Sequence, residues 1–419
     1  MKAFKLSAII LLLISCKSEI NDTIPLIEME GNIGNFKPFK LSELNGELEY
    51  VVLETNSNIL FREIRFIDIS SEYIVVGDGE RCILFDRRGR YIRNIGSRGK
   101  GPGEYTHMSQ IKLLDSRIYI PDPTTNKINI YSSSGEFIDD IKTPGGFSNS
   151  IYSHNWKLLT DTTFFIQIPN NSGNEEYRIA LINDAGEILK GYPNTKFYTP
   201  HNPAAYRSYN IQAYYYNRND RIYFMESRID TIWQVGEKYL EPAYSINRGK
   251  YGFPPEHREW PISVTLEEMG VQPISITNVF ESGEFIYFRM LFGKNYPFDF
   301  YKKAPLSLFG ITHYFIIGLY NKTTGEFFFV APSNIDHQIE PTGFENDIDG
   351  GINFMPMHAV NDTLLVSWFE VYELKMYVAT KTFQNSSPKY PEKKKELEEL
   401  AASLNGNDNP VLMLVKLNP

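Results

Sequence analysis

One pattern recurs along the chain: an apolar strand, a polar turn containing glycine, and a second strand. It reads "CILFDRRGRYIRNI" at 82–95, "INIYSSSGEFIDDI" at 128–141 and "IALINDAGEILKGY" at 179–192. With one extra turn residue it returns as "IGLYNKTTGEFFFV" at 317–330, and in looser form as "TIWQVGEKYLEPAYSI" at 231–246. The turn glycines are Gly89, Gly135, Gly186, Gly236 and Gly325, spaced by 46, 51, 50 and 89 residues. Each is expected at the positive φ that hairpin turns favour.

A further strand precedes each hairpin: "EYIVVGD" from Glu72, "RIYIPDP" from Arg117, "TTFFIQI" from Thr162 and "RIYFMES" from Arg221. It continues as "EFIYFRM" from Glu284 and "DTLLVSWF" from Asp362, which makes six copies. Short strands bounded by Asp, Gly, Pro and Ser are β-strands. A unit of roughly 45–50 residues with four strands is a β-propeller blade. The expected fold is therefore all-β, a six-bladed propeller of four-stranded antiparallel blades. The 89-residue gap is one blade carrying insertions at 247–273 and 291–311. Aromatics at 14%, with 27 Tyr and 28 Phe, suit strands. A pair of β-sandwiches is the competing all-β arrangement.

Closing a ring requires one terminus to complete a blade begun by the other. "LEYVVLET" at 48–55 is the N-terminal candidate, and "NPVLMLVKL" at 409–417 reads as a final strand. Before it, "PEKKKELEELAASL" at 391–404 is expected to be a short helix with proline at its start.

The N-terminus is a targeting signal. Lys2 and Lys5 precede a short apolar run, Leu6 to Ile14, and then "LISC", residues 13–16. The run is too short to span a bilayer permanently. It resembles the bacterial lipobox, in which cleavage precedes an acylated cysteine. The bland alternative is an ordinary signal peptide with a chance cysteine. The expected organisation is a signal peptide at 1–15, lipidated Cys16 and tether at 16–46, and one propeller at 47–419. Cys82 is then the sole thiol, which rules out an internal disulfide or a cysteine-based metal site. It opens the apolar run "CILF" and reads as a core residue. The net charge of −9 gives no general attraction to nucleic acid or to an anionic membrane face.

Several stretches together resemble a known family. They are "GSRGKGPGEY" at 96–105, "RIDTIW" at 228–233, "FENDIDGG" at 344–351 and "NDNPVLMLVKL" at 407–417. The chain resembles, over about residues 40–419, the six-bladed β-propeller lipoproteins of Bacteroidetes, relatives of the NHL-repeat propellers. That resemblance implies the fold, the lipid anchor and a cell-envelope location. It implies no catalytic set.

Candidate chemistry falls in loops, the usual home of function on a rigid scaffold. The glycine run 96–103 lacks both the Walker spacing and the strand–glycine–helix setting of a dinucleotide fold. It reads as a connection between blades, with one functional alternative. Backbone N–H groups with Arg98 and Lys100 could hold a carboxylate or sulfate, and Glu104 and Tyr105 would lie near the channel mouth. Asp347 and Asp349 alternate ahead of glycine, so a structural calcium is the one cofactor the pattern admits. Turn chemistry is the ordinary explanation. The seven histidines show no zinc spacing.

Tyr206, Arg207, Tyr209 and Trp260 lie in loop-like sequence, and flat aromatic faces with polar edges suit sugar or peptide surfaces. Thr23, in the tether, sits in "DTI" and resembles a Bacteroidetes O-glycosylation acceptor. The expected function is a binding propeller for a carbohydrate, peptide or protein, with the bilayer as a further partner through Cys16. The alternatives are a propeller lyase or hydrolase acting on glycans or lactones, and a scaffold subunit of an outer-membrane complex.

Overall fold

A computed structural model describes residues 24–56, 59–60, 63–142, 156–160, 162–168, 173–195, 197, 199, 213–219, 221–226, 229–254, 273–292, 306–308, 311–331 and 343–418. Their blade strands form six sheets with antiparallel pairing inside each blade. Blade 1 holds Phe66–Ile69, Tyr73–Gly77, Cys82–Asp86 and Tyr91–Ile95. Blade 2 holds Lys112–Leu114, Arg117–Asp122, Lys127–Ser132 and Phe137–Lys142. Blade 3 holds Trp156–Thr160, Thr163–Gln167, Tyr177–Asn183 and Ile188–Pro193. Blade 4 holds Ala213–Arg218, Arg221–Glu226, Thr231–Val235 and Leu240–Asn247. Blade 5 holds Ser275–Ser282, Phe285–Phe292, Ile311–Asn321 and Phe327–Val330.

Blade 6 closes the ring. His358–Asn361 and Leu364–Phe369 are followed by the C-terminal strand Val411–Leu417, and the N-terminal strand Gly46–Val52 pairs outside it.

The apolar runs are continuous because each blade is covered on both faces. In Tyr73–Gly77, Ile74 and Val76 pack toward blade 6 while Val75 packs toward blade 2. In the next strand, Ile83 and Phe85 face blade 6 while Cys82 and Leu84 face blade 2. Cys82 is a free, buried thiol, and burial pushes its pKa far up, so it is a packing residue.

The N-terminal segment departs from expectation. Residues 16–46 are expected to be a tether, yet from Leu26 onward the chain is built into the ring. Leu26–Glu28 adds a parallel strand to the outer edge of blade 4, and Phe36–Lys37 does the same on blade 5. Ile27, Met29 and Leu41 are fully buried. Polar residues between the buried ones hide this in the sequence.

The C-terminal region differs too. One helix is expected, and three occur between the second and third strands of blade 6: α1 (Val371–Val378), α2 (Lys381–Asn385) and α3 (Pro391–Ser403). The β-branched and aromatic residues of Lys375–Phe383 favour strand, but packing and capping override them. Val371, Leu374 and Phe383 are fully buried. Glu373 accepts the Glu370 N–H at 2.9 Å. Thr380 accepts the Phe383 N–H at 3.2 Å.

Four of the five turn glycines take positive φ, and Gly236 does not. They also differ in surroundings. At Gly89, φ is +83°, and an added Cβ would lie 2.0 Å from the Val52 carbonyl oxygen. At Gly325, φ is +74°, with nothing within 4 Å. Gly325→Ala should therefore cost about 1 kcal/mol, the left-handed strain alone. Gly89→Ala should cost clearly more, because it also pushes on the closing strand. Urea unfolding of both variants checks the order; equal losses would remove the role assigned to Val52.

Candidate functional site

The topology makes the two ends of the ring unlike. At one end, strands are joined by the turns at 70–72, 115–116, 161–162, 219–220, 283–284 and 362–363, and by the hairpin turns at 87–90, 133–136, 184–187, 236–239 and 322–326. The strands that border residues 53–65, 96–111, 143–155, 194–212, 248–274 and 331–357, which join one blade to the next, meet those residues at the other end. That end also carries Leu306–Leu308 of blade 5 and the helical segment 370–410 of blade 6.

Of the candidates named above, Arg98, Glu104, Tyr105, Asp347 and Asp349 belong to described connections of this loop face. Of the histidines, His107 lies in such a connection, and His313 and His358 fall in the first three residues of a strand that follows one; His154, His201, His257 and His337 lie outside the described residues. Tyr206, Arg207, Tyr209, Trp260, Cys16 and Thr23 lie outside the described residues.

The glycine run connects blades 1 and 2, as expected. Ser97–Arg98 pairs in parallel with Glu104–Tyr105, and the loop between them folds back on itself. The anion it holds is its own: the Gly101 N–H donates to the Glu104 carboxylate at 2.7 Å. A Cβ on Gly99 would lie 2.0 Å from that carboxylate, so Gly99 leaves the room it occupies. Arg98 points to the exposed Glu80 at 3.3 Å, a surface pair of little energetic consequence.

Tyr105 is buried. Its hydroxyl accepts the Cys82 N–H at 3.1 Å and donates to the Ile95 carbonyl at 3.3 Å. Burial, first of all, pushes its pKa far up. The reading of Glu104 and Tyr105 as channel-mouth ligand residues is therefore corrected: Glu104 closes its own loop, and Tyr105 pins blade 1 to blade 2.

Asp347 and Asp349 accept from different donors. Asp347 accepts from the Ser42 N–H at 3.0 Å and from the Ser42 hydroxyl at 2.7 Å, so it fastens the N-terminal segment. Asp349 accepts from the Tyr50 hydroxyl and from the Gly351 N–H, each at 2.8 Å. Among the described residues no group of three or more His, Cys, Asp or Glu is placed to hold a metal ion.

Burial raises the Asp349 pKa above its ordinary 3.8, against the hydrogen bonds that lower it. A raised carboxylate binds its proton more tightly in the folded state. Stability from this group therefore falls as pH rises from 3.8 through the raised value, and then levels. Relative to Asp349→Asn, the unchanged chain should gain stability as pH drops through that window. Denaturant unfolding of both proteins at stepped pH measures the gap, and a gap independent of pH would contradict this account.

Two buried polar groups beneath the loop face escape sequence reasoning. Glu226, at the loop-face end of its blade 4 strand, accepts from Gln167 at 3.0 Å and from the Arg178 Nε at 3.0 Å. The Arg178 guanidinium also lies 4.9 Å from the Trp233 ring centroid. Arg248, fully buried, donates to Asp230 and to the Ile274 carbonyl at 2.9 Å. The one available signal was a charge at the end of an apolar strand, as in "RIYFME" at 221–226.

A family profile described as a domain of unknown function (DUF4934) matches residues 24–416. The chain belongs to the DUF4934 family. No curated protein matches it. Among solved structures, it is similar to a protein of Bacteroides fragilis described as exported, at 18% identity and a TM-score of 0.62. That match covers 95% of this chain and 100% of the other. It is also similar to a DUF4221 family member of Bacteroides vulgatus: 13% identity, TM-score 0.44, coverage 68% and 86%. Virginiamycin B lyase of Staphylococcus aureus gives 11% identity, TM-score 0.42 and coverage 88% and 99%. At these identities the first similarity speaks to a shared fold, and a shared fold does not carry function with it.

Proposed function

We propose that this DUF4934 chain is a cell-envelope lipoprotein, anchored through Cys16, that binds a carbohydrate, peptide or protein partner with its loop face. The observation that carries the reading is the inequality of the two ends. One end is tight turns. The other holds the 96–111 connection, residues 343–357 and the helical segment 370–410, together with His107, His313 and His358. Loops held by a rigid scaffold are where recognition concentrates, and Tyr and Trp dominate such surfaces.

Two measurements test it. Mass spectrometry of the membrane-derived protein should find Cys16 as an acylated N-terminus; an unmodified Cys16 sinks the anchor. Residues 16–419 should then be screened on glycan and envelope-peptide arrays. For the ligand found, Tyr206→Ala and Trp260→Ala should weaken binding by about tenfold or more. Arg87→Ala, on the turn face, should not. If both loop-face variants bind unchanged, the loop-face reading is wrong. Turnover of an arrayed glycan or lactone would favour the enzyme alternative.

A further inference from the structure

We propose that the outer rim of blades 2 to 4 lies flat against a lipid bilayer, so that the ring stands edge-on to the membrane. This rests on the reading of Cys16 as the anchor and adds the surface that the anchor brings to the lipid.

The rim is built from the outermost strands. On blades 4 and 5 these are covered by the chain's own N-terminal strands, and on blade 6 the N-terminal strand is itself the outermost one. Blades 1 to 3 carry no such cover among the described residues. Large apolar side chains are exposed on the outer strands of blades 2 and 3, Phe137 and Ile138 on the first and Ile188 and Leu189 on the second, and beside them Leu26 on the strand that covers blade 4 and Tyr239 in the turn before its outer strand. Leu189 is 58% exposed and Tyr239 69%. Exposed large apolar side chains that recur on three successive blades are the kind of feature that marks an interaction surface.

The path of the chain identifies the occupant. Its N-terminal strands begin at Gly46 on blade 6, Phe36 on blade 5 and Leu26 on blade 4. Read toward the N-terminus, each step of ten residues moves back one blade. The next blade is blade 3. Cys16 lies ten residues before Leu26, and ten residues span at most about 35 Å. An acyl chain on Cys16 therefore holds this arc, rather than the opposite one, within reach of lipid.

The local chemistry fits a membrane interface. Lys190 follows Leu189, with its Nζ 4.4 Å from the Tyr192 ring centroid, and exposed Lys142 ends the blade 2 strand. Long cationic stems beside aliphatic and Tyr side chains suit the boundary between headgroups and acyl chains. Of the two acids in that strand, Asp140 is paired with Lys127 at 2.6 Å. Asp139 accepts the Asp140 N–H at 2.8 Å. Edge-on seating leaves the loop face open to partners in the aqueous space.

The test uses residues 16–419. Cys82 is buried, so Cys16 is the reactive thiol. It is coupled either to a maleimide phospholipid in phosphatidylcholine–phosphatidylglycerol vesicles or to N-ethylmaleimide. The coupling is chemical, so the outcome does not depend on whether the cell acylates Cys16, which mass spectrometry decides separately. Hydrogen exchange read by mass spectrometry should slow about threefold or more in peptides holding 137–139, 188–190 and 239–241 on the vesicles. The α3 peptide should not change. The double variant Ile138→Asp with Leu189→Asp should couple equally well and lose the slowing. The proposal is overturned if the rim peptides exchange alike in both forms, or if slowing falls on the loop face. It is also overturned if the N-ethylmaleimide form shows the same protection rising with protein concentration, which would assign the rim to a second copy.

Discussion

A chain that begins at residue 53 is expected to lose its cooperative fold. Gly46–Val52 is the outer strand of blade 6 and pairs with Val411–Leu417 along its whole length. That strand joins the two termini, so its loss opens the ring. The deleted stretch also takes away Ile27, Met29, Leu41 and Val51, all buried. Each buried aliphatic or Met side chain contributes about 1.5–3 kcal/mol, so these four alone contribute on the order of 10 kcal/mol. The net stability of a folded chain is about 5–15 kcal/mol. The deletion removes a comparable amount before any strand pairing is counted. Thermal unfolding followed by circular dichroism should lose its sharp transition, and gel filtration should show expansion or aggregation. A chain beginning at residue 24 should melt like the 16–419 chain. A sharp melt of the 53–419 chain within a few degrees of the 16–419 one would show that the ring closes without its N-terminal strand.

The second large effect is expected at the junction of blades 3 and 4. Glu226 is buried, and its carboxylate takes bonds from both Gln167 and Arg178. Removing one partner of a buried charge pair strands the other, at a cost of about 3–5 kcal/mol, whereas replacing both with apolar groups is often neutral. Glu226→Ala should lower stability by that amount. The double change Arg178→Met with Glu226→Leu should recover most of it. Guanidinium unfolding of the single and double variants forms the test. A double variant as unstable as the sum of its parts would mean that the two side chains act independently.

The blade repeat was readable because its signal is local. Runs such as "CILF" show that a strand is buried on both sides, and glycine marks the turns. The same locality explains the errors. Gly236 looks like its four counterparts, yet the blade 4 turn closes without positive φ. Lys375–Phe383 favours strand by composition, yet it holds the end of α1 and the start of α2 because Val371, Leu374 and Phe383 find a buried face. The site was legible only as a set of loops. "GSRGKGPGEY" announces free backbone donors, but that Glu104 satisfies one of them depends on where the loop doubles back. In the same way, Asp347 and Asp349 read as a cation loop until Ser42 and Tyr50, some three hundred residues away in sequence, arrive as their donors.

The sequence by itself determined that this is a ring of six four-stranded blades closed by its two ends. The alternation and spacing of apolar residues depend only on neighbours along the chain. The tertiary structure decided that the N-terminal segment is a belt on blades 4 to 6. It also decided that Tyr105 and Asp349 are internal fastenings, and that the 96–111 connection, the helical segment 370–410 and His107, His313 and His358 share one face. Those facts follow from ring closure and blade stacking, which bring together residues that no local pattern connects.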